Sequence, residues 1–309
     1  MSTDPLIRAA VDVGTNSILL VIAHISRQNE KIEILFEKEF IVRLGQSLQD
    51  KSVISSEAQS RAIQALLQVS EILKSRHVED VRTVGTQVFR LAKNSKEVIQ
   101  KIKEQTGISV QVLTGAQEAE LSYKGLNLFY PHDQKRMLLD MGGGSTEIII
   151  GNGACFEHSI SLPLGALVLT EFCLKNVPPS GTDLNKARSA VLALFSEPVK
   201  RLNLSAVHKL YTVGGTATTL VSMLKKMEFY NTGDVEGSKI SVKQISTAME
   251  EFALLNSGQR RQAKGVHPNR APIFLGGLII FQCIMELFKA EECVVSNAGI
   301  RHGMILGYI

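Results

Sequence analysis

Two stretches of the chain share one pattern of apolar and polar positions. Ala9 to Ile25 is a β-rich apolar run broken by Asp12-Val-Gly-Thr-Asn-Ser17, and Arg136 to Ile150 is another, broken by Asp140-Met-Gly-Gly-Gly-Ser145. Each break reads Asp-x-Gly-x-x-Ser, and each resumes in aliphatic residues, Ile18 to Ile22 and Ile148 to Ile150, as the second strand of a hairpin does. The aspartates are offset by 140 − 12 = 128 residues. A second pair, Thr83-Val-Gly-Thr86 and Thr212-Val-Gly-Gly-Thr216, predicts a strand, a glycine turn and a helix in both places, with first glycines offset by 214 − 85 = 129. Two matched pairs at nearly one offset imply duplicated halves.

Between these landmarks the period changes to that of helices. Ser55 to Ser75 carries Ala62, Leu66, Val69 and Leu73 on one face, Ser95 to Thr106 predicts a shorter helix, Val110 to Leu113 a strand, and Glu118 onward another helix. After Pro178-Pro-Ser-Gly181 the pattern is largely helical, clearest over Asn185 to Leu202 and Val242 to Leu255. The apolar stretch Phe274 to Phe288 contains Gln282 and Glu286 and is short for a bilayer, so it reads as a buried helix and not as a membrane span. A hinge is expected near Glu120 to Leu126.

Length and charge narrow this further. A chain of 309 residues exceeds one ordinary domain. Lys plus Arg total 34 against 30 Asp plus Glu, a net +4 that favours anionic ligands weakly, and no basic tract supports nucleic-acid binding. Cys155, Cys173, Cys283 and Cys293 lack the spacing of a zinc site and read as buried free thiols. Met1 to Pro5 lacks the basic start of a signal peptide, so a reducing, cytoplasmic location is expected.

The chemistry concentrates at the two breaks. A glycine-rich turn between strands presents backbone N–H groups to a phosphate, and a neighbouring hydroxyl adds donors. Gly14, Thr15, Asn16 and Ser17 fit one such loop; Gly142, Gly143, Gly144 and Ser145 fit the other. A single loop of this kind is more often only a tight hairpin, but its recurrence in both halves favours phosphate binding. Asp12, Asp140 and Glu147 beside the loops are hard oxygen donors suited to Mg²⁺, and Glu147 is a charge in an otherwise apolar run.

Together these residues resemble the exopolyphosphatase/guanosine pentaphosphate phosphohydrolase family, whose members share the actin, sugar-kinase and Hsp70 ATPase architecture. The likeness runs almost end to end through Asp12 to Ser17, Val42-Arg-Leu-Gly45, Gly85 to Asn94, Leu113 to Ala119, Asp140 to Glu147, Ser161-Leu-Pro-Leu-Gly165 and Gly214-Gly-Thr216. The resemblance implies that Glu118 is the catalytic base, that Arg90 and Arg43 face the phosphates, and that Glu147 serves both catalysis and metal binding. It places Gly214, Gly215 and Thr216 in the turn that cradles adenosine in related kinases, here assigned to phosphate. Residue pattern alone would leave Glu118 an ordinary acid in a helix's first turn. Departures occur at Leu19, Val168 and Pro272, where the family often has a basic residue, an arginine and an aspartate. The short, two-domain form of the family is expected, since long members continue beyond the position of Ile309.

The expected fold is α/β, two ribonuclease-H-like (actin-like ATPase) domains flanking a cleft: residues 1–122, with 297–309 returning to them, and residues 123–296. The expected function is hydrolysis of the terminal phosphoanhydride of inorganic polyphosphate, with guanosine pentaphosphate as a second substrate, Mg²⁺ or alternatively Mn²⁺ as cofactor, and domain closure excluding water. A homodimer is the weaker expectation for assembly. Arg260, Arg261, Lys264, His267 and Arg270 form a loose basic cluster, either a guide for a polyanion or a solvated loop. Two rivals stay open: an ATP-dependent small-molecule kinase of the same superfamily, and a non-catalytic polyphosphate or nucleotide sensor.

Overall fold

A computed structural model describes residues 6–26, 32–131, 134–202, 207 and 209–306. The readings made on Met1 to Pro5 and on the last three residues of the returning tail lie outside the described residues. Contacts divide the chain into two units, Met1–Leu128 with Ile300–Ile309, and Phe129–Gly299.

The first unit runs β1 (Leu6–Val13), β2 (Ser17–Ile25), β3 (Ile32–Ile41), α1 (Leu48–Lys51), α2 (Ser56–Ser75), β4 (Asp80–Gly85), α3 (Gln87–Leu91), α4 (Ser95–Thr106), β5 (Gln111–Val112) and α5 (Gly115–Phe129). The second contains β6 (Lys135–Met141), β7 (Thr146–Asn152), β8 (Cys155–Leu162), α6 (Ala166–Cys173), α7 (Gly181–Lys200), β9 (Lys209–Val213), α8 (Gly215–Leu224), α9 (Thr232–Val235), β10 (Lys239–Ser241), α10 (Val242–Ala253), α11 (Ser257–Gln262), α12 (Ala271–Phe288) and β11 (Glu292–Val295). Helix α13 (Ile300–Leu306) belongs to the first unit.

The duplication is visible in the sheets. The first has strand order β3-β2-β1-β4-β5 and the second β8-β7-β6-β9-β11, extended by β10. In each, three antiparallel strands continue into two parallel ones, the ribonuclease-H-like arrangement expected from the family resemblance. Strand β1 reads as a continuous apolar run because both its faces are covered. Ala9, Val11 and Val13 join a core with α2 residues such as Ala62, Leu66 and Val69, while Ala10 joins Val21, Ile300, Met304 and Ile305 on the other face. The guanidinium of Arg8 fixes α13 there, donating to the Ile305 carbonyl at 2.9 Å and to Asp80 at 2.7 Å.

The helix ends follow from local chemistry. Ser55 caps α2 by accepting from the Ala58 amide, and Ser180 and Ser241 form capping boxes with Asp183 and Gln244. The apolar stretch around Phe274 becomes α12, the most buried helix of the second core, with Phe274, Leu278, Phe281 and Ile284 inside. The segment Glu120 to Leu126, where a hinge is expected, lies in α5, which is continuous to Phe129 and buries Leu121, Tyr123 and Leu126. Two expectations change. Cys155 is exposed, because it opens β8 beside the turn at Gly153, whereas the other three thiols are buried. The second is the basic cluster, which divides: Arg260 is buried over the Phe252 ring and donates to the carbonyls of Leu255 and Ala253, and is therefore no part of a charged surface.

Candidate active site

In the first unit, β1 ends at Val13 and the chain turns through Gly14, Thr15 and Asn16 into β2, closed by the Gly14 amide donating to the Ser17 carbonyl at 2.9 Å. Thr15 and Asn16 are buried although polar. The reason lies in the segment after β3: the amides of Val42 and Arg43 both donate to the Asn16 carbonyl, and that of Gly45 to the Thr15 carbonyl. A Cβ at Gly45 would lie 2.3 Å from Thr15 Cγ2, so this close approach needs glycine. Arg43 holds a left-handed backbone, φ 49°, uncommon for a side-chain-bearing residue.

Beside this loop, the Thr86 amide reaches the Val13 carbonyl and starts the turn into α3, which carries Arg90. Arg90 Nη1 donates to Glu118 Oε2 at 2.7 Å and to the Leu113 carbonyl at 2.8 Å. Glu118 sits in the first turn of α5, placed by Thr114 and Gln117, whose side chains cap each other's amides. With only 6% of its surface exposed, Glu118 is unlike the solvated acid that a helix N-terminus usually displays. Asn94, the end of the same motif, exchanges two hydrogen bonds with the backbone of Ile54 and is a structural clamp.

The second unit repeats the loop. Gly142 donates to the Ser145 carbonyl at 3.0 Å, and the carbonyls of Gly142 and Gly143 accept from the amides of Ala166, Leu167 and Val168 at the start of α6. Here Gly165 plays the part of Gly45: an added Cβ would stand 2.5 Å from the Gly143 carbonyl carbon. Leu44-Gly45 and Leu164-Gly165 thus form a third repeat, whose signal was a shared dipeptide following the third strand of each hairpin set.

Glu147 is buried and accepts from Ser161 Oγ at 2.7 Å. Strand register sets Asp140 opposite Glu147, and Glu147 opposite Ser161. The same register in the first unit sets Asp12 opposite Leu19, so Leu19 occupies the place that Glu147 holds in the duplicate. The expected metal set therefore divides, Asp12 in the first unit and Asp140 with Glu147 in the second. Among the described residues, no three His, Cys, Asp or Glu side chains gather at one point.

Gly214 turns out of β9 with φ 95°, and a Cβ there would meet the Met141 carbonyl at 2.5 Å, so this turn lies against the end of β6. The Arg270 guanidinium occupies the space above Gly215. Thr216 is buried with its side chain against Gly277 of α12. Val168 and Pro272 are both accommodated: Val168 packs against the second core, and Pro272 lies in the first turn of α12, where its missing N–H costs nothing.

Residues 21–309 match the model of the Ppx/GppA phosphatase family. The chain is 32% identical over 314 residues to a bifunctional 3-dehydroquinate synthase/phosphatase of Fusobacterium nucleatum, across 97% of the chain but only 46% of that longer protein. It is 30% identical over 314 residues to exopolyphosphatase 2 of Mycobacterium tuberculosis, covering 96% of the chain and 97% of the relative. The crystal structure of the Aquifex aeolicus Ppx/GppA family member is similar at a TM-score of 0.81 and 28% identity, covering 98% of this chain and 97% of that one.

Proposed function

The chain belongs to the Ppx/GppA phosphatase family, and from that premise we propose that it is a phosphoanhydride hydrolase removing the terminal phosphate of inorganic polyphosphate, with guanosine pentaphosphate as a second substrate. The observation that carries this reading is the pairing of the buried Glu118 carboxylate with the partly buried Arg90 at 2.7 Å. A buried carboxylate gripped by a guanidinium is held in one orientation, which suits a base that must align a water for in-line attack on phosphorus. Phosphoryl transfer needs positioning and charge neutralisation more than covalent help, and the site offers both.

Each unit brings one loop whose carbonyls are tied down by the segment after its third strand. The loops Gly14 to Ser17 and Gly142 to Ser145 are thereby fixed in shape, as a phosphate cradle requires. Arg43 supplies a fork of donors suited to phosphate oxygens. Asp140 and Glu147 stand opposite each other on adjacent strands, a pair of hard oxygen donors of the kind that suits a divalent cation. Hard oxygen donors of this kind suit Mg²⁺, with Mn²⁺ as an alternative; the candidate ligands are Asp140 and Glu147 in the second unit and Asp12 in the first. When bound, the cation neutralises phosphate charge. Three buried thiols agree with the reducing, cytoplasmic location that accompanies this reading.

The test is phosphate release with Mg²⁺ from short and long polyphosphate, guanosine pentaphosphate and ATP, each beside Glu118→Gln. Release from polyphosphate that is lost in the variant supports the assignment. Binding without release from any substrate would move the chain to the sensor reading, and phosphate transfer only to an added acceptor would move it to the kinase reading.

A further inference from the structure

One side chain that grips the segment after β3 belongs to none of the motifs above. Arg61 lies on α2, whose opposite face is locked into the core through Ala58, Ala62, Leu66 and Val69. Its guanidinium reaches back to the segment after β3. Nε donates to the Val42 carbonyl at 2.8 Å, and Nη2 donates to the Arg43 carbonyl at 3.3 Å and to Gln46 Oε1 at 3.0 Å. Three oxygen acceptors on one short segment are thus gathered by one planar, fixed fork, a task a single ammonium cannot copy.

That segment is the one whose amides hold the Gly14 to Ser17 loop, through Val42 and Arg43 to the Asn16 carbonyl and Gly45 to the Thr15 carbonyl. It also contains Arg43, whose left-handed backbone is unfavourable for a residue with a Cβ and persists only where neighbours over-determine it. Arg61 grips the carbonyls on both sides of that strained residue's φ and ψ, those of Val42 and Arg43. We propose that Arg61 is a positioning residue for phosphate binding: it holds Arg43 and the Gly14 to Ser17 loop in their binding conformation from a rigid helix. The proposal rests on the reading of Arg43 and that loop as phosphate ligands.

The experiment measures kcat and KM on short polyphosphate with Mg²⁺ for Arg61→Met, Arg61→Lys, Arg43→Ala and the double variant Arg43→Ala/Arg61→Met, with melting temperature for each. Arg61→Met should raise KM about tenfold, the scale of a coupled pair, with a smaller change in kcat. Arg61→Lys should leave most of that defect in place while folding as wild type, and it serves as the main readout where the methionine variant does not fold. Arg43→Ala should raise KM, and adding Arg61→Met to it should raise KM little further. A wild-type KM in folded Arg61→Met or Arg61→Lys, with Arg43→Ala still defective, overturns the proposal and leaves the phosphate reading standing. Full additivity in the double variant, or a loss that follows the melting temperature alone, also overturns it by making Arg61 merely structural. If Arg43→Ala itself has the KM of wild type, the phosphate reading of Arg43 fails and the proposal falls with it.

Discussion

Replacing Glu37 by glutamine should weaken the first unit in a manner that depends on pH. The Glu37 carboxylate on β3 accepts from Arg301 Nη2 at 2.8 Å and Nε at 3.2 Å, and His302 Nε2 lies 3.2 Å away. Both partners stand in the first turn of α13, whose Ile300, Met304 and Ile305 cover one face of the sheet. Burial by itself would raise the Glu37 pKa, but the hydrogen bond from His302 and the charge of Arg301 outweigh it and bring the value down from 4.5 to about 2. A carboxylate depressed in the folded state contributes stability that is fully present above its unfolded pKa and is lost as pH falls through the folded one. The contribution here is on the order of 3 kcal/mol at neutral pH, disappearing as the pH is taken from 4.5 towards 2. Glu37→Gln keeps the shape but leaves a partly buried guanidinium and a buried imidazole without the negative charge. Urea unfolding followed by circular dichroism, at neutral pH and at steps down to pH 2, should show the variant less stable by that order at neutral pH, with the gap to wild type closing as the pH falls from 4.5 towards 2. A variant within about 0.5 kcal/mol of wild type at neutral pH, with an unchanged acid slope, would refute the reasoning.

Other outcomes follow from the site. Glu118→Gln should lower kcat on polyphosphate by about 10²- to 10⁴-fold, the usual worth of a general base, while the Kd for polyphosphate stays within about threefold of wild type. Gly165→Ala drives a Cβ into the Gly142 and Gly143 backbone and should cost about 1–3 kcal/mol with loss of turnover, whereas Gly181→Ala, with nothing within 4 Å, should be tolerated in the same unfolding assay. Ser161→Ala removes the 2.7 Å hydrogen bond to Glu147 and should raise the Mg²⁺ concentration for half-maximal activity by about tenfold or more, measured by magnesium titration at saturating substrate.

Much of the architecture was legible in the chain itself because it is local or repeated. The two Asp-x-Gly-x-x-Ser breaks, the aliphatic returns at Ile18 and Ile148, and the helices starting at Ser56, Ser95 and Val242 are written in periods of two and 3.6 and in capping residues, and a duplication doubles each signal. Only the tertiary structure decided what each side chain meets. Arg90 and Glu118 are 28 residues apart, and Arg61 lies 18 from the Arg43 carbonyl it holds; neither pairing leaves a mark in local pattern. Arg260, read as a surface charge, is covered by Phe252 and absorbed by backbone carbonyls, and Glu147 finds Asp140 and Ser161 only through strand register. Local pattern specifies elements because backbone geometry repeats over a few residues. Which elements become neighbours is settled by crossovers between parallel strands and by the cores they close, so the partners of buried charges are set by packing.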